Sequence, residues 1–210
     1  MKRVFLLCMV LCCLGAANAQ GRGEWSEEEM LEMLENKVQD FCRYVKIIGS
    51  TKSGFSEQYK ESLKEDSIWT LFYRYDERSM LTTRGWDGKV IKKSSMRDYF
   101  EALHDQAKAK FRNDEIRYDL KFQFVTSGGN LKWVYKKTNA DGTKEYTATV
   151  RISQIYIKER RNGSNEIIHR RKEEDKKEME CTKIVYPNNE VLVALRDITK
   201  AERVKTTTSN

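Results

Sequence analysis

The apolar residues of this chain change their spacing once. Trp25 to Ala107 carry stripes that recur every three or four positions, whereas from Ile116 onward they recur at every second position. The first spacing lays one stripe along a helix, and the second lays one face along a strand. Helices first and strands afterwards predict an α+β fold. A single proline, Pro187, and no low-complexity linker or internal repeat leave no boundary inside the chain. One domain over residues 20–204 is therefore expected, with a polar, disordered tail at 205–210.

The first helix has the strongest signals. Ser26-Glu27-Glu28-Glu29 forms a capping box, with Trp25 and Met30 at the staple positions. Leu31, Leu34, Val38, Phe41, Val45 and Ile48 make its stripe, and Gly49 is read as its C-terminal stop. A second helix starts at Ser56. Residues 68–72, with Ile68, Trp69, Leu71 and Phe72, fit either a strand or the last turns of that helix. A hairpin over 80–83 and 89–92 turns at Trp86-Asp87-Gly88. The third helix begins near Ser95 and carries Met96, Tyr99, Phe100, Leu103 and Ala107. Strands follow over 116–124, 131–135, 146–157, 166–169, 179–186 and 191–195. Leu34, Val38, Phe41, Tyr99, Phe100 and Leu103 are the expected sheet-facing contacts.

Residues 1–19 read as an export signal. Lys2 and Arg3 precede an apolar run, and Ala17-Asn18-Ala19 supplies a small-x-small cleavage pattern. A periplasmic or secreted product with no membrane span after cleavage follows. Three of the five cysteines lie in that segment. Cys42 and Cys181 remain, either as one disulfide or as two buried thiols. The formal charge of +7 comes from 39 bases against 32 acids. A mixed surface of this kind serves solubility and argues against a nucleic-acid binder.

The stretch Leu71-Phe72, Asp76, Met80-Leu81-Thr82-Thr83, Gly88 and Met96-Arg97-Asp98-Tyr99-Phe100-Glu101-Ala102-Leu103 resembles the nuclear transport factor 2-like superfamily, also called cystatin-like or ketosteroid-isomerase-like. The likeness is one of pattern and runs over residues 27–201. It implies three N-terminal helices packed on a highly curved, cone-like antiparallel sheet, and it makes residues 68–72 helical. The catalytic acids and bases of the family's enzymes have no residue-by-residue counterpart here. Tyr44 and Asp76 lie only in roughly corresponding places. The strands after Asp114 are longer than the family's, with charged hairpin ends.

No chemical motif stands out. His104, His169, Cys42 and Cys181 have no metal-ligand spacing, so neither a metal nor a cofactor is expected. Gly49-Ser50-Thr51-Lys52-Ser53-Gly54 fits no phosphate-loop spacing. Asn162-Gly163-Ser164 is a glycosylation acceptor only in a eukaryotic secretory route. His104 is read as a surface or boundary histidine rather than a base. Tyr44, Trp69, Phe72, Tyr99, Trp133 and Tyr146 are core residues or the lining of a ligand pocket. Arg160, Arg161, Arg170, Arg171 and Lys172 form a polyanion patch unless Glu173, Glu174 and Asp175 fold back and neutralise it. The expected function is an exported, non-catalytic binding or protein-interaction domain. Its partner would be another protein, a small apolar ligand or a second copy of the chain. The alternatives are a ketosteroid-isomerase-like enzyme or binder with an apolar pocket, and a polyanion-binding surface protein.

Overall fold

The computed structural model describes residues 25–51, 54–75, 79–85, 87, 89–108, 115–125, 131–201 and 204–206. The export segment at 1–19, Asp76, Trp86, Gly88 and residues 207–210 lie outside them. Helix α1 (Glu27–Gly49) begins with both halves of the capping box: Ser26 Oγ accepts from the Glu29 amide, and the Glu29 carboxylate accepts from the Ser26 amide at 2.9 Å. Helix α2 (Glu57–Glu65) is capped by Ser56. Residues Ser67–Leu71 continue as a 3₁₀ turn, so this apolar run is helical. Ser95 and Asp98 cap α3 (Met96–Lys108) reciprocally.

Gly49 is not a left-handed stop. It is the last residue of α1, and a Cβ there would come 2.4 Å from Leu120 Cδ1. Its lack of a side chain serves close approach to the sheet.

The strands are β1 (Met80–Arg84), β2 (Val90–Ser95), β3 (Glu115–Phe124), β4 (Val134–Thr138), β5 (Lys144–Arg161), β6 (Ile167–Val185), β7 (Val191–Ala201) and β8 (Val204–Thr206). They form one sheet in the order β2-β1-β7-β6-β5-β3, with β4 also on β5 and β8 also on β6. All pairings are antiparallel except β1 with β7.

Two expectations need correction here. The strands read at 166–169 and 179–186 are one 19-residue strand, β6, paired with β5 along its whole length. The charged run between them is therefore mid-strand and not a hairpin end. The tail read as disordered from 205 contributes Lys205 and Thr206 to β8, which pairs with Glu173 and Lys172. Strand β6 extends past its pairing with β7, and β8 takes up the backbone groups left open there.

Leu34, Val38, Phe41, Tyr99, Phe100 and Leu103 are all buried in one core with Met179, Cys181, Leu195 and Ile198. Phe100 contacts Phe41 at 6.3 Å, Trp69 at 5.5 Å and Phe72 at 6.5 Å between ring centroids, so aromatic rings fill the space between the helices and the sheet. Cys42 on α1 and Cys181 on β6 are free, buried thiols, so the disulfide alternative is not realised. No helix among the described residues is long and apolar enough to cross a membrane.

Candidate functional site

The register of β5, β6 and β7 shows where the core changes character. Directly paired residues share a face. One face carries Ala148, Cys181 and Leu195 in one row, then Val150, Met179 and Ile198. The next rows are Ile152, Lys177 and Lys200; Gln154 and Asp175; Tyr156 and Glu173; and Lys158 and Arg171. Within two rows an apolar floor becomes polar, yet it stays covered. Gln154 and Asp175 are fully buried, and Lys177 is 1% exposed.

Helix α3 closes the network from above. Lys177 Nζ donates to Tyr99 Oη at 2.8 Å and also to Gln154 Oε1, and Tyr99 Oη donates to the same Oε1 at 2.9 Å. Two donors on Oε1 set the orientation of the amide, whose Nε2 is buried without a hydrogen-bond partner among the described residues. Lys177 Nζ also lies 4.3 Å from the Tyr99 ring centroid. Lys200 Nζ approaches Asp175 at 3.8 Å. Burial pushes the Tyr99 phenol well above its usual range, with Tyr156 and Asp175 adding to the shift. Tyr99 is thus held as a neutral hydrogen-bond donor. Burial also raises the Cys42 thiol to about 12, partly offset by the Lys177 charge.

This network backs onto a cleft with two chambers. The inner chamber, about 210 Å³, is lined by α3 (Asp98, Tyr99, Ala102, Leu103, Gln106), by Leu81, Thr83, Lys92 and Ser94, and by Tyr156 and Lys200. The outer chamber, about 260 Å³, is lined by Gln106, Tyr118, Tyr156, Lys158, Arg171 and Glu173. Gln106 and Tyr156 line both, so the two chambers lie side by side. A concave site with a few convergent polar groups is the ordinary form of a small-ligand site.

Of the six aromatic pocket candidates, only Tyr99 lines this cleft. Trp69 and Phe72 are packed into the filled core. Trp133 and Tyr146 gather around Lys183, whose Nζ lies 5.3 Å and 4.1 Å from their rings. Burial lowers the Lys183 pKa, against the opposing charge of Glu27. Tyr44 is half-buried at the core's edge, under the Arg43 guanidinium. His104 is not a surface residue: at 3% side-chain exposure it lies between Glu57, 3.2 Å from Nε2, and Glu61, 3.3 Å from Nδ1.

The five bases of the expected polyanion patch do not share one face. Strand alternation puts Arg160 and Arg171 on the face of Lys158, and Arg170 and Lys172 on the other. Arg161 joins the second group by pairing with Glu159 at 2.6 Å. Glu159 also approaches Arg170 at 3.5 Å, and Glu173 holds Arg171 at 2.5 Å. Of the acids expected to neutralise the patch, Glu173 takes one of its arginines. Glu174 accepts from Ser153, and Asp175 is buried near Lys200.

The burial of Asp175 and Lys177 was hidden in the sequence because Arg170 to Lys177 is an unbroken run of charges. Counting back by twos from Cys181 and Met179 reaches Lys177 and Asp175, and that period was the available signal. Among the described residues, no group of three or more His, Cys, Asp or Glu side chains could hold a metal ion.

No family model matches this chain, and no curated protein does. One solved structure that it resembles is the beta subunit of a protein described as an aromatic-ring-hydroxylating dioxygenase, from Novosphingobium aromaticivorans. The identity is 11% over 86% of this chain and 94% of that one, and the TM-score is 0.32. A likeness at that level carries no argument about function.

Proposed function

We propose that this chain is an exported binding domain of the nuclear transport factor 2-like type, with its helices over a curved sheet. In this reading it holds a small ligand in the cleft between α3 and the sheet and does not transform it. Export rests on the charged start, apolar run and Ala17-Asn18-Ala19 pattern of residues 1–19. Binding rests on one observation: Lys177, Asp175 and Gln154 are buried behind a cavity whose wall includes Tyr99, Tyr156 and Lys200. Taking such groups out of water costs several kcal/mol, and apolar residues would pack there at no such expense. Polar groups kept in this position orient the side chains that face the cavity.

Binding is favoured over catalysis because neither Asp175 nor Gln154 lines either chamber. One observation favours the alternative, a ketosteroid-isomerase-like enzyme. Tyr99 is a neutral phenol that lines the inner chamber and is backed by Lys177; with its one proton turned from Gln154 Oε1 to a bound ligand, it would donate to a developing oxyanion.

Ligand-observed NMR with a library of small organic fragments tests the proposal on the protein lacking residues 1–19. Fragments that bind wild type and lose binding in Ala102→Trp, which fills the inner chamber, are the expected result. Bound fragments should be recovered unchanged. A library with no Ala102→Trp-sensitive member would overturn the reading, and turnover of a bound fragment would favour the enzyme.

A further inference from the structure

The outer chamber differs from the inner one in charge. Its floor is the cross-strand row Tyr118, Lys158 and Arg171, followed by Tyr156 and Glu173 in the next row. Lys158 Nζ lies 5.5 Å over the Tyr118 ring. Glu173 occupies a terminal nitrogen of Arg171 at 2.5 Å. The Arg171 Nε is buried and has no hydrogen-bond partner among the described residues. A guanidinium carries five donors in a fixed fork, and a carboxylate on one end leaves the others to be satisfied. Lys158 and Arg171 against Glu173 leave this chamber with an excess of positive charge. Gln106 and Tyr156 are shared with the chamber under Tyr99.

We infer that the cleft binds a small organic anion. The Arg171 guanidinium and Lys158 take its acidic group in the outer chamber, and its apolar body lies against Tyr156 and Gln106, the two residues that chamber shares with the inner one. The inference rests on the small-ligand reading above and adds the class of ligand. The acidic group is a carboxylate or a phosphate, since both accept from a guanidinium in the same way.

Calorimetric titration of the protein lacking residues 1–19 tests this with 3-phenylpropanoate, its neutral analogue 3-phenylpropanamide, and phenyl phosphate. The anions should bind at least tenfold more tightly than the amide, and added salt should erode that preference. Arg171→Gln and Lys158→Met should each weaken the anions by about tenfold, the scale of a charge-assisted hydrogen bond, and leave the amide unchanged. An unchanged thermal midpoint in either variant separates this loss from misfolding, and the tighter of the two anions identifies the head group. Equal affinity for anion and amide overturns the inference, as does a preference that survives both substitutions. If both probes then still lose binding in Ala102→Trp, the small-ligand reading stands without it. If neither probe binds, the inference fails, and the fragment library alone decides the broader reading.

Discussion

Lys177 on β6 and Tyr99 on α3 are joined twice, by a 2.8 Å hydrogen bond to the hydroxyl and by the ammonium lying 4.3 Å from the ring centroid. The pair ties α3, which walls the cleft, to the centre of the sheet. Lys177→Met removes the donor and leaves Asp175, fully buried, with less compensation. The expected loss is about 3–5 kcal/mol in urea unfolding. Adding Asp175→Leu should restore most of it, because both buried charges are then replaced by apolar side chains. A single variant as stable as wild type would show that the network is not coupled to folding.

Gly49 and Leu120 give a second test. The Cβ of an alanine at 49 would lie 2.4 Å from Leu120 Cδ1 and 3.3 Å from Leu103 Cδ2. All three residues are buried, so the methyl group has to displace packed side chains. Gly49→Ala should destabilise by about 1–3 kcal/mol despite alanine's better helix propensity. Gly49→Ala combined with Leu120→Ala should cost less than the sum of the two single variants. A stabilised single variant would mean that the helix end has room to move.

Much of the fold was legible because its signals are local. The Ser26 capping box, the stripe from Leu34 to Ile48 and the alternation of β3 each follow from the spacing of side chains along one element. What was hidden depends on pairing. Nothing near Lys177 in sequence says that β5 runs beside it, and a run of charges in isolation has no reason to be covered. His104 was hidden in the same way, because its two carboxylate neighbours sit on α2, 47 and 43 positions earlier in the chain. The aromatic residues were read as core or pocket lining, and spacing alone does not separate a filled core from a lined pocket. Trp69 and Phe72 are packed within the first, and Tyr99 lines the second.

The carboxylates around His104 predict a pH dependence. Glu57 is held below the usual carboxylate range chiefly by its hydrogen bond with Lys60, and Glu61 by its hydrogen bond with Lys64. His104 adds to both effects. A carboxylate with a lower pKa folded than unfolded stabilises the fold above its unfolded pKa, and that contribution is lost as pH falls through the folded value. Stability should therefore decline on acidification below the ordinary glutamate range, near 4.5. Glu57→Gln with Glu61→Gln should flatten this decline while leaving the α1 capping box intact. Both side chains are about half exposed, so added salt should shrink the effect. Identical urea midpoints in wild type and the double variant from pH 6 to pH 3 would contradict it.

Cys42 and Cys181 predict a pattern of thiol reactivity that also tests the buried network. Both thiols are buried and unbridged, and burial raises both pKa values, that of Cys42 to about 12. The thiolate is the reactive form, so at pH 8 the folded protein presents very little of it, and what exists is covered. In the protein lacking residues 1–19, a disulfide-exchange reagent should label neither cysteine on the minute timescale when folded, and both on unfolding in denaturant. Lys177 lowers the Cys42 pKa against the larger effect of burial, so Lys177→Met should make Cys42 less reactive in any native opening that keeps the two residues together. If labelling instead follows global unfolding, the variant's lower stability should speed both cysteines equally. Rapid labelling of the folded protein would place at least one thiol at the surface, and failure to label in denaturant would mean that the two had been bridged.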